Sequence, residues 1–235
     1  MLANLAAPLE MAVSFEPSDG LAGGDLVDAI MLADDREMIT ICDACGHGLD
    51  ATLSAAAVWA TLHSLAPTGL SPRAILEQLD RQLADIIVGS RFVTALALRV
   101  EPDGRLTALN AGHPPILHYR AETGDIRRVA AASHGPLGLK VGTFRPETIE
   151  IGPADRLLLY TDGLTEQRDR TGGMVGVKGL AEMFSGLCAK ADRPPTEIRD
   201  QLRDALRGPE FGGRKEDDQT FVVLGAPVAG HGLTG

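Results

Sequence analysis

The chain has 235 residues, of which 44% are hydrophobic and 23% charged, with 32 acidic against 22 basic residues for a formal net charge of −10. That length and apolar content suffice for a well-buried core, so a disordered chain is excluded and a single domain over residues 1–235 is expected. The acidic balance also excludes a nucleic-acid partner, which needs clustered Lys and Arg; the short pairs Arg127-Arg128 and Arg214-Lys215 read as solvated surface.

In chain order, Leu9–Phe15 and Leu26–Leu32 read as strands, and Ala33-Asp34-Asp35-Arg36 turns the second into a third, Glu37–Cys42. This hairpin would bring Asp25 and Asp43 to neighbouring strand ends. Ala51–Ala66 is the longest apolar run. Thr52, Ser54, Thr61, His63 and Ser64 interrupt it, so it falls short of a membrane span and reads as a buried helix, with Leu49, Leu53, Ala56, Ala57 and Ala60 on one face. Pro67, Gly69 and Pro72 break that helix. Ser71 is a natural N-cap with Pro72 at the first helical position of the next one, whose stripe is Ile75, Leu76, Leu79, Leu83, Ile86 and Ile87. The two helices should cover one face of a sheet.

Phe92–Val100 and Arg105–Leu109 flank the turn Pro102-Asp103-Gly104, in which Pro presets φ and Gly supplies φ > 0. Ile116–Arg120, Ile126–Ala130, Thr148–Ile151 and Arg156–Tyr160 add strands. Val177–Ala189 and Thr196–Arg207 are helical, with apolar stripes through Leu180, Met183, Phe184 and Leu187 and through Ile198, Leu202 and Leu206, and Thr220–Leu224 closes as a strand. Runs of strands with helices grouped in pairs indicate an α+β fold. Cys42, Cys45 and Cys188 form no disulfide framework, and no basic-then-apolar leader opens the chain, so a cytoplasmic protein without membrane contact is expected.

The chemistry resides in four acidic motifs: Gly23-Gly24-Asp25 with Asp28, Asp43-Ala44-Cys45-Gly46-His47-Gly48, Thr161-Asp162-Gly163, and Asp217-Asp218-Gln219-Thr220. Each places an Asp where an apolar strand-like run meets a turn. One such Asp is ordinarily a turn or helix cap. Four at strand ends of one fold could converge on hard divalent cations, which prefer oxygen ligands. The glycines beside them allow tight turns and leave room for metal and substrate, and Gly46-His47-Gly48 opens a helix whose first amides could attract an anion. No Gly-Lys-Ser/Thr follows, so this is not a nucleotide P-loop.

Six ordered stretches, GGDLVD, DACGHGLDATLSAA, RFVTALAL, LNAGHPPILHY, GPADRLLLYTDGLTE and DDQTFVVL, resemble the sporulation stage II protein E family, the bacterial branch of the metal-dependent type 2C protein serine/threonine phosphatases. The resemblance runs from about Pro17 to Leu224, with no upstream regulatory domain expected in this chain. It implies a four-layer α-β-β-α sandwich, two stacked antiparallel sheets flanked by helices. It also implies two ions, Mn²⁺ or Mg²⁺, with Asp43 bridging, the backbone carbonyl of Ala44 completing one ion, and Asp25, Asp162 and Asp217 holding them from the other sides. These four carboxylates would be the catalytic set, and the reaction hydrolysis of phosphoserine or phosphothreonine by direct attack of metal-activated water. The implied substrate is a phosphorylated anti-sigma factor antagonist of the STAS type. A homodimer is admitted alongside a monomer. Asp28 and Asp218 are each either an outer-shell group or solvated.

Other type 2C phosphatases place a His two residues after the bridging Asp, where this chain has Cys45, so His47 and a metal-bound water both stand as candidate general acid. No Arg precedes Asp25, so phosphate recognition leans on the metals. His113 and Cys42 read as structural. Two other readings remain: a pseudophosphatase acting as a binding module, and a hydrolase of small phosphoesters.

Overall fold

In the computed structural model, the described residues are 9–18, 23–46, 48–86, 91–190, 193–211, 215 and 217–226. The strands are β1 (Glu10–Glu16), β2 (Asp25–Met31), β3 (Glu37–Ala44), β4 (Val93–Val100), β5 (Leu106–Ala111), β6 (Ile116–Arg120), β7 (Asp125–Val129), β8 (Glu147–Ile149), β9 (Arg156–Tyr160) and β10 (Gln219–Gly225). The helices are α1 (Leu49–Leu65), α2 (Pro72–Ile86), α3 (Gly163–Glu166), α4 (Gly176–Cys188) and α5 (Pro195–Leu206). Among the described residues the strands make two antiparallel sheets, ordered β1-β10-β9-β6-β7 and β2-β3-β4-β5-β8. The expected four-layer sandwich is what forms.

Strand alternation assigns each side chain to one of three cores. Along β3, Ile39 and Ile41 face the other sheet and join Leu96, Leu98, Leu157, Leu159, Val222 and Leu224 in the central layer. Met38, Cys42 and Ala44 face the opposite way, against Val58 and Leu62 of α1 and Ile75, Leu79 and Leu83 of α2. On the outer side of the second sheet, Leu158, Tyr160 and Phe221 pack on Leu180 and Phe184 of α4 and Ile198 and Leu202 of α5. Burial on both faces explains why β9 and β10 read as continuous apolar runs rather than alternating ones.

The α2 cap is as expected, with Ser71 Oγ accepting from the Ala74 amide at 3.3 Å. The Pro102-Asp103-Gly104 turn places Gly104 at φ 82°. The expected face of α1 is wrong. Ala51, Ala55, Val58, Leu62 and Leu65 are its buried stripe, whereas Leu49 is 74% and Leu53 58% exposed and Ala56 and Ala60 also lie outside. Apolar residues surround this helix on all sides, so its periodicity could not choose a face; contact with β2 and β3 did. Ile86 of the α2 stripe is likewise exposed, and Ile87 lies outside the described residues. The short α3, directly after Asp162, was not anticipated from sequence.

Candidate active site

The acidic motifs meet at one end of the sandwich, where β2 and β10 begin and β3 and β9 end. Asp25 and Asp43 are directly opposite on β2 and β3, in register with Leu26↔Cys42 and Val27↔Ile41 behind them. Both share the parity of Val27 and Ile41 and so sit on the inner side of their sheet. On the facing sheet, Thr161 continues Leu157 and Leu159, and Thr220 and Asp218 continue Val222 and Leu224. The contact across the sheets is direct: Thr161 Oγ1 donates to Asp25 Oδ2 at 3.0 Å and accepts from the Thr220 amide at 3.1 Å.

Close backbone approach explains the glycines. A Cβ on Gly24 would come within 2.7 Å of the Ala44 carbonyl oxygen, and one on Gly163 within 2.0 Å of the Asp218 carbonyl oxygen. The Ala44 amide donates to the Gly24 carbonyl at 3.1 Å, so the first two motifs are joined by backbone. Gly46 and Gly48 take φ of 101° and 74°, and Gly48 begins α1 with no side-chain cap, which leaves the first amides of that helix without an internal acceptor.

Like charges directly opposite across a strand pair are destabilising, and burial sharpens the cost. Asp25 is 8% exposed, and burial, with Asp218 and Asp217 adding repulsion, pushes its carboxyl up to about 7 against the threonine hydroxyls that pull it down. Burial followed by repulsion from Asp25, Asp162, Asp217 and Asp218 pushes Asp43 up to about 8. Asp162 is raised by burial and then by Glu166. Four chain segments thus deliver carboxylates that perturb one another, although among the described residues no three His, Cys, Asp or Glu side chains already form a finished metal cage.

The remaining candidates separate. Asp28 has the parity of Leu26 and Ile30, lies on the helix-facing side of its sheet and meets His63 Nε2 at 2.7 Å; it is not part of the cluster. Asp218 is part of it, but its oxygens are engaged by protein: Oδ1 by the Ser18 amide at 2.7 Å and hydroxyl at 3.1 Å, Oδ2 by the Gly24 amide at 2.7 Å. The Asp217 carboxylate accepts from the Asp218 amide at 2.8 Å. His47 lies outside the described residues. Cys45 is exposed and Cys42 buried against the helices, both free. His113 Nδ1 meets Thr94 Oγ1 at 2.8 Å, its amide donates to Asn110 Oδ1 at 2.8 Å, and burial holds its imidazole neutral, down to about 3. Sequence reading missed the roles of Thr161, whose only signal is a hydroxyl beside Asp162, and of Ser18, which lies outside the acidic motifs.

The model of the family described as stage II sporulation protein E matches residues 33–227. The chain belongs to this SpoIIE family. Among curated proteins it is 26% identical over 207 residues to "Phosphoserine phosphatase RsbP" of Bacillus subtilis (strain 168), covering 86% of this chain and 48% of RsbP. The chain therefore spans about half the length of that relative. Among solved structures, the RsbU and RsbW domains of Rv1364c from Mycobacterium tuberculosis superpose with a TM-score of 0.80 at 26% identity, covering 95% of this chain and 61% of that one. RsbX, solved in complex with magnesium, superposes with a TM-score of 0.67 at 17% identity, covering 92% and 94%. These structures share the two-sheet sandwich of this SpoIIE-family chain.

Proposed function

We propose that this chain is a metal-dependent protein phosphatase that hydrolyses phosphoserine or phosphothreonine. The observation that carries this reading is the pair of buried Asp25 and half-buried Asp43, directly opposite across two strands, each raised by desolvation and by neighbouring carboxylates, with Asp162 and Asp217 close enough to add to the Asp43 shift. Such a cluster is costly without a counter-cation and becomes stabilising with one. Its all-oxygen donors suit Mn²⁺ or Mg²⁺ rather than Zn²⁺, and the relatives named for phosphoserine hydrolysis and for bound magnesium agree with that chemistry.

In this reading Asp43, the Ala44 carbonyl, Asp25, Asp162 and Asp217 would together hold the ions. Bound there, the ions would supply a nucleophilic water near neutral pH and positive charge for the phosphoryl oxygens. The chain's own part is to fix the carboxylates, to bring about four negative charges so that a phosphate dianion is still tolerated, and to present the uncapped start of α1 to that phosphate. The substrate within this reading is a phosphorylated STAS-type anti-sigma factor antagonist, released by dephosphorylation to bind its partner kinase.

The test is phosphate release from phosphoserine proteins of that type and from an aryl phosphate, with Mn²⁺, Mg²⁺ and chelator in parallel. Metal-dependent turnover far more efficient on the phosphoprotein supports the proposal. Full turnover in chelator, after stripping of bound metal, would overturn the metal chemistry, and equal efficiency on both substrates would favour a small-phosphoester hydrolase.

A further inference from the structure

Asp218 is a buried carboxylate, 7% exposed, beside four others, yet its contacts are not those of a group waiting for a metal. Its two oxygens reach back across the chain to the segment that leads into β2. Oδ1 takes both the amide and the hydroxyl of Ser18, and Oδ2 takes the amide of Gly24, the residue before Asp25. The fit is close: a Cβ on Gly23 would lie 2.1 Å from Asp218 Oδ2, so the carboxylate rests directly on the Gly23 backbone. Asp25 is then gripped a second time at its carboxylate, where Thr161 Oγ1 occupies Oδ2 while accepting from the Thr220 amide.

From this arrangement we propose that Asp218 and Thr161 are positioning residues for Asp25: Asp218 fixes its backbone through Gly24, and Thr161 fixes its carboxylate. The inference rests on the metal-site reading above and deepens it. It gives separate work to the two adjacent acids of Asp217-Asp218, the first facing the ions and the second holding the opposite wall. A charged acceptor suits this work, because amide hydrogen bonds to a carboxylate are shorter and roughly twice as strong as neutral ones. It also explains the neighbouring glycines: Gly23 admits the Asp218 carboxylate and Gly163 admits the Asp218 carbonyl, so three motifs interlock on one residue. Outer-shell partners of metal ligands typically contribute ~10–100-fold to metal affinity.

The experiment is a Mn²⁺ titration of the intact chain without substrate, read by calorimetry for stoichiometry and midpoint and by melting temperature for stability. Asp218→Asn keeps volume but turns an amide NH₂ toward backbone donors, Asp218→Glu keeps the charge but cannot reproduce the seat against Gly23, and Thr161→Val changes no charge at all. Each should raise the half-saturating Mn²⁺ concentration about tenfold or more with stoichiometry unchanged. Loss of one ion in Asp218→Asn would show that Asp218 is itself a ligand. Wild-type affinity in Asp218→Glu and Thr161→Val, with weakening only in Asp218→Asn, would reduce its part to charge. Lower melting temperatures at unchanged midpoints would make both residues merely structural. Should the unmodified chain bind no Mn²⁺, the metal-site reading itself falls, a result distinct from each of these.

Discussion

Strand β9 has an acid beyond each end, and the two are held in opposite ways. Asp155, 2% exposed, precedes it and is saturated: His118 Nε2 at 2.9 Å, the Ala121 amide at 2.8 Å and the Gly152 amide at 2.9 Å all point at its oxygens. Burial pushes its carboxyl up, but those donors overcome it and the net direction is down. At the other end, Asp162 joins Asp25 and Asp43, where burial is reinforced by like charges and the net direction is up. Asp162 is half-buried, but Asp25 in the same cluster is buried like Asp155 and is still raised, so the difference lies in what faces the carboxylate. An acid ringed by donors holds loops together. Acids ringed by acids repel one another unless a cation stands among them, which is the arrangement the proposed function calls for.

That contrast predicts opposite outcomes for removing the two kinds of charge. Asp43→Asn should bring phosphate release down to background while raising the melting temperature of metal-free protein at pH 8 by ~2 °C or more, the shift of about 1 kcal/mol in a domain of this size. Asp155→Ala should do the reverse. Removing one partner of a buried pair costs about 3–5 kcal/mol in urea unfolding, yet activity per folded molecule should persist. If Asp43→Asn destabilised the metal-free protein as Asp155→Ala does, the Asp162 end of β9 would be an ordinary structural cluster.

A smaller effect concerns pH. Asp25 and Asp43 hold their protons in the fold up to about 7 and about 8, while in the unfolded chain they lose them near the ordinary aspartate value of 3.8. The folded state therefore binds more protons across that window, and metal-free stability must fall as pH rises through it, by as much as ~1.4 kcal/mol per pH unit for each retained proton. His113 has the opposite sign: buried neutral, it supports the fold above the ordinary histidine value of 6.5 and withdraws that support as pH falls toward about 3. Urea midpoints compared from pH 6.5 to 8 thus isolate the acids. A falling midpoint that flattens in Asp43→Asn is expected, and saturating Mn²⁺ should abolish the slope. A flat metal-free profile would mean that these carboxylates are ionised without a cation.

Most of the framework was legible because period-two runs ended in acidic motifs. The Ala33-Asp34-Asp35-Arg36 turn fixed the β2–β3 register closely enough to set Asp25 against Asp43, and the Ser71-Pro72 cap located α2. The α1 face was not legible, since Leu49 and Leu53 are as apolar as Val58 and Leu62, and only the sheet beneath decides between them. The split between Asp217 and Asp218 was hidden for a similar reason. Adjacent residues on a strand face opposite ways, but which one meets the Gly24 amide depends on how the two sheets stack, and no local pattern encodes that.

The smallest expected effect belongs to Asp28, three residues beyond Asp25 in the same motif. An odd spacing along a strand sends the two side chains to opposite faces, so Asp28 projects toward α1 and pairs with His63, whose side chain is 41% exposed. A pair so open to solvent contributes at most ~1 kcal/mol. Asp28→Asn should therefore cost no more than that in urea unfolding and leave both the Mn²⁺ midpoint and phosphate release unchanged. Its value is as a control for the comparison of the two ends: it removes an acid from the motif without touching the cluster. A Mn²⁺ midpoint shifted as far as in Asp218→Asn would place Asp28 within the electrostatic reach of the ions and return the first motif to a two-carboxylate role.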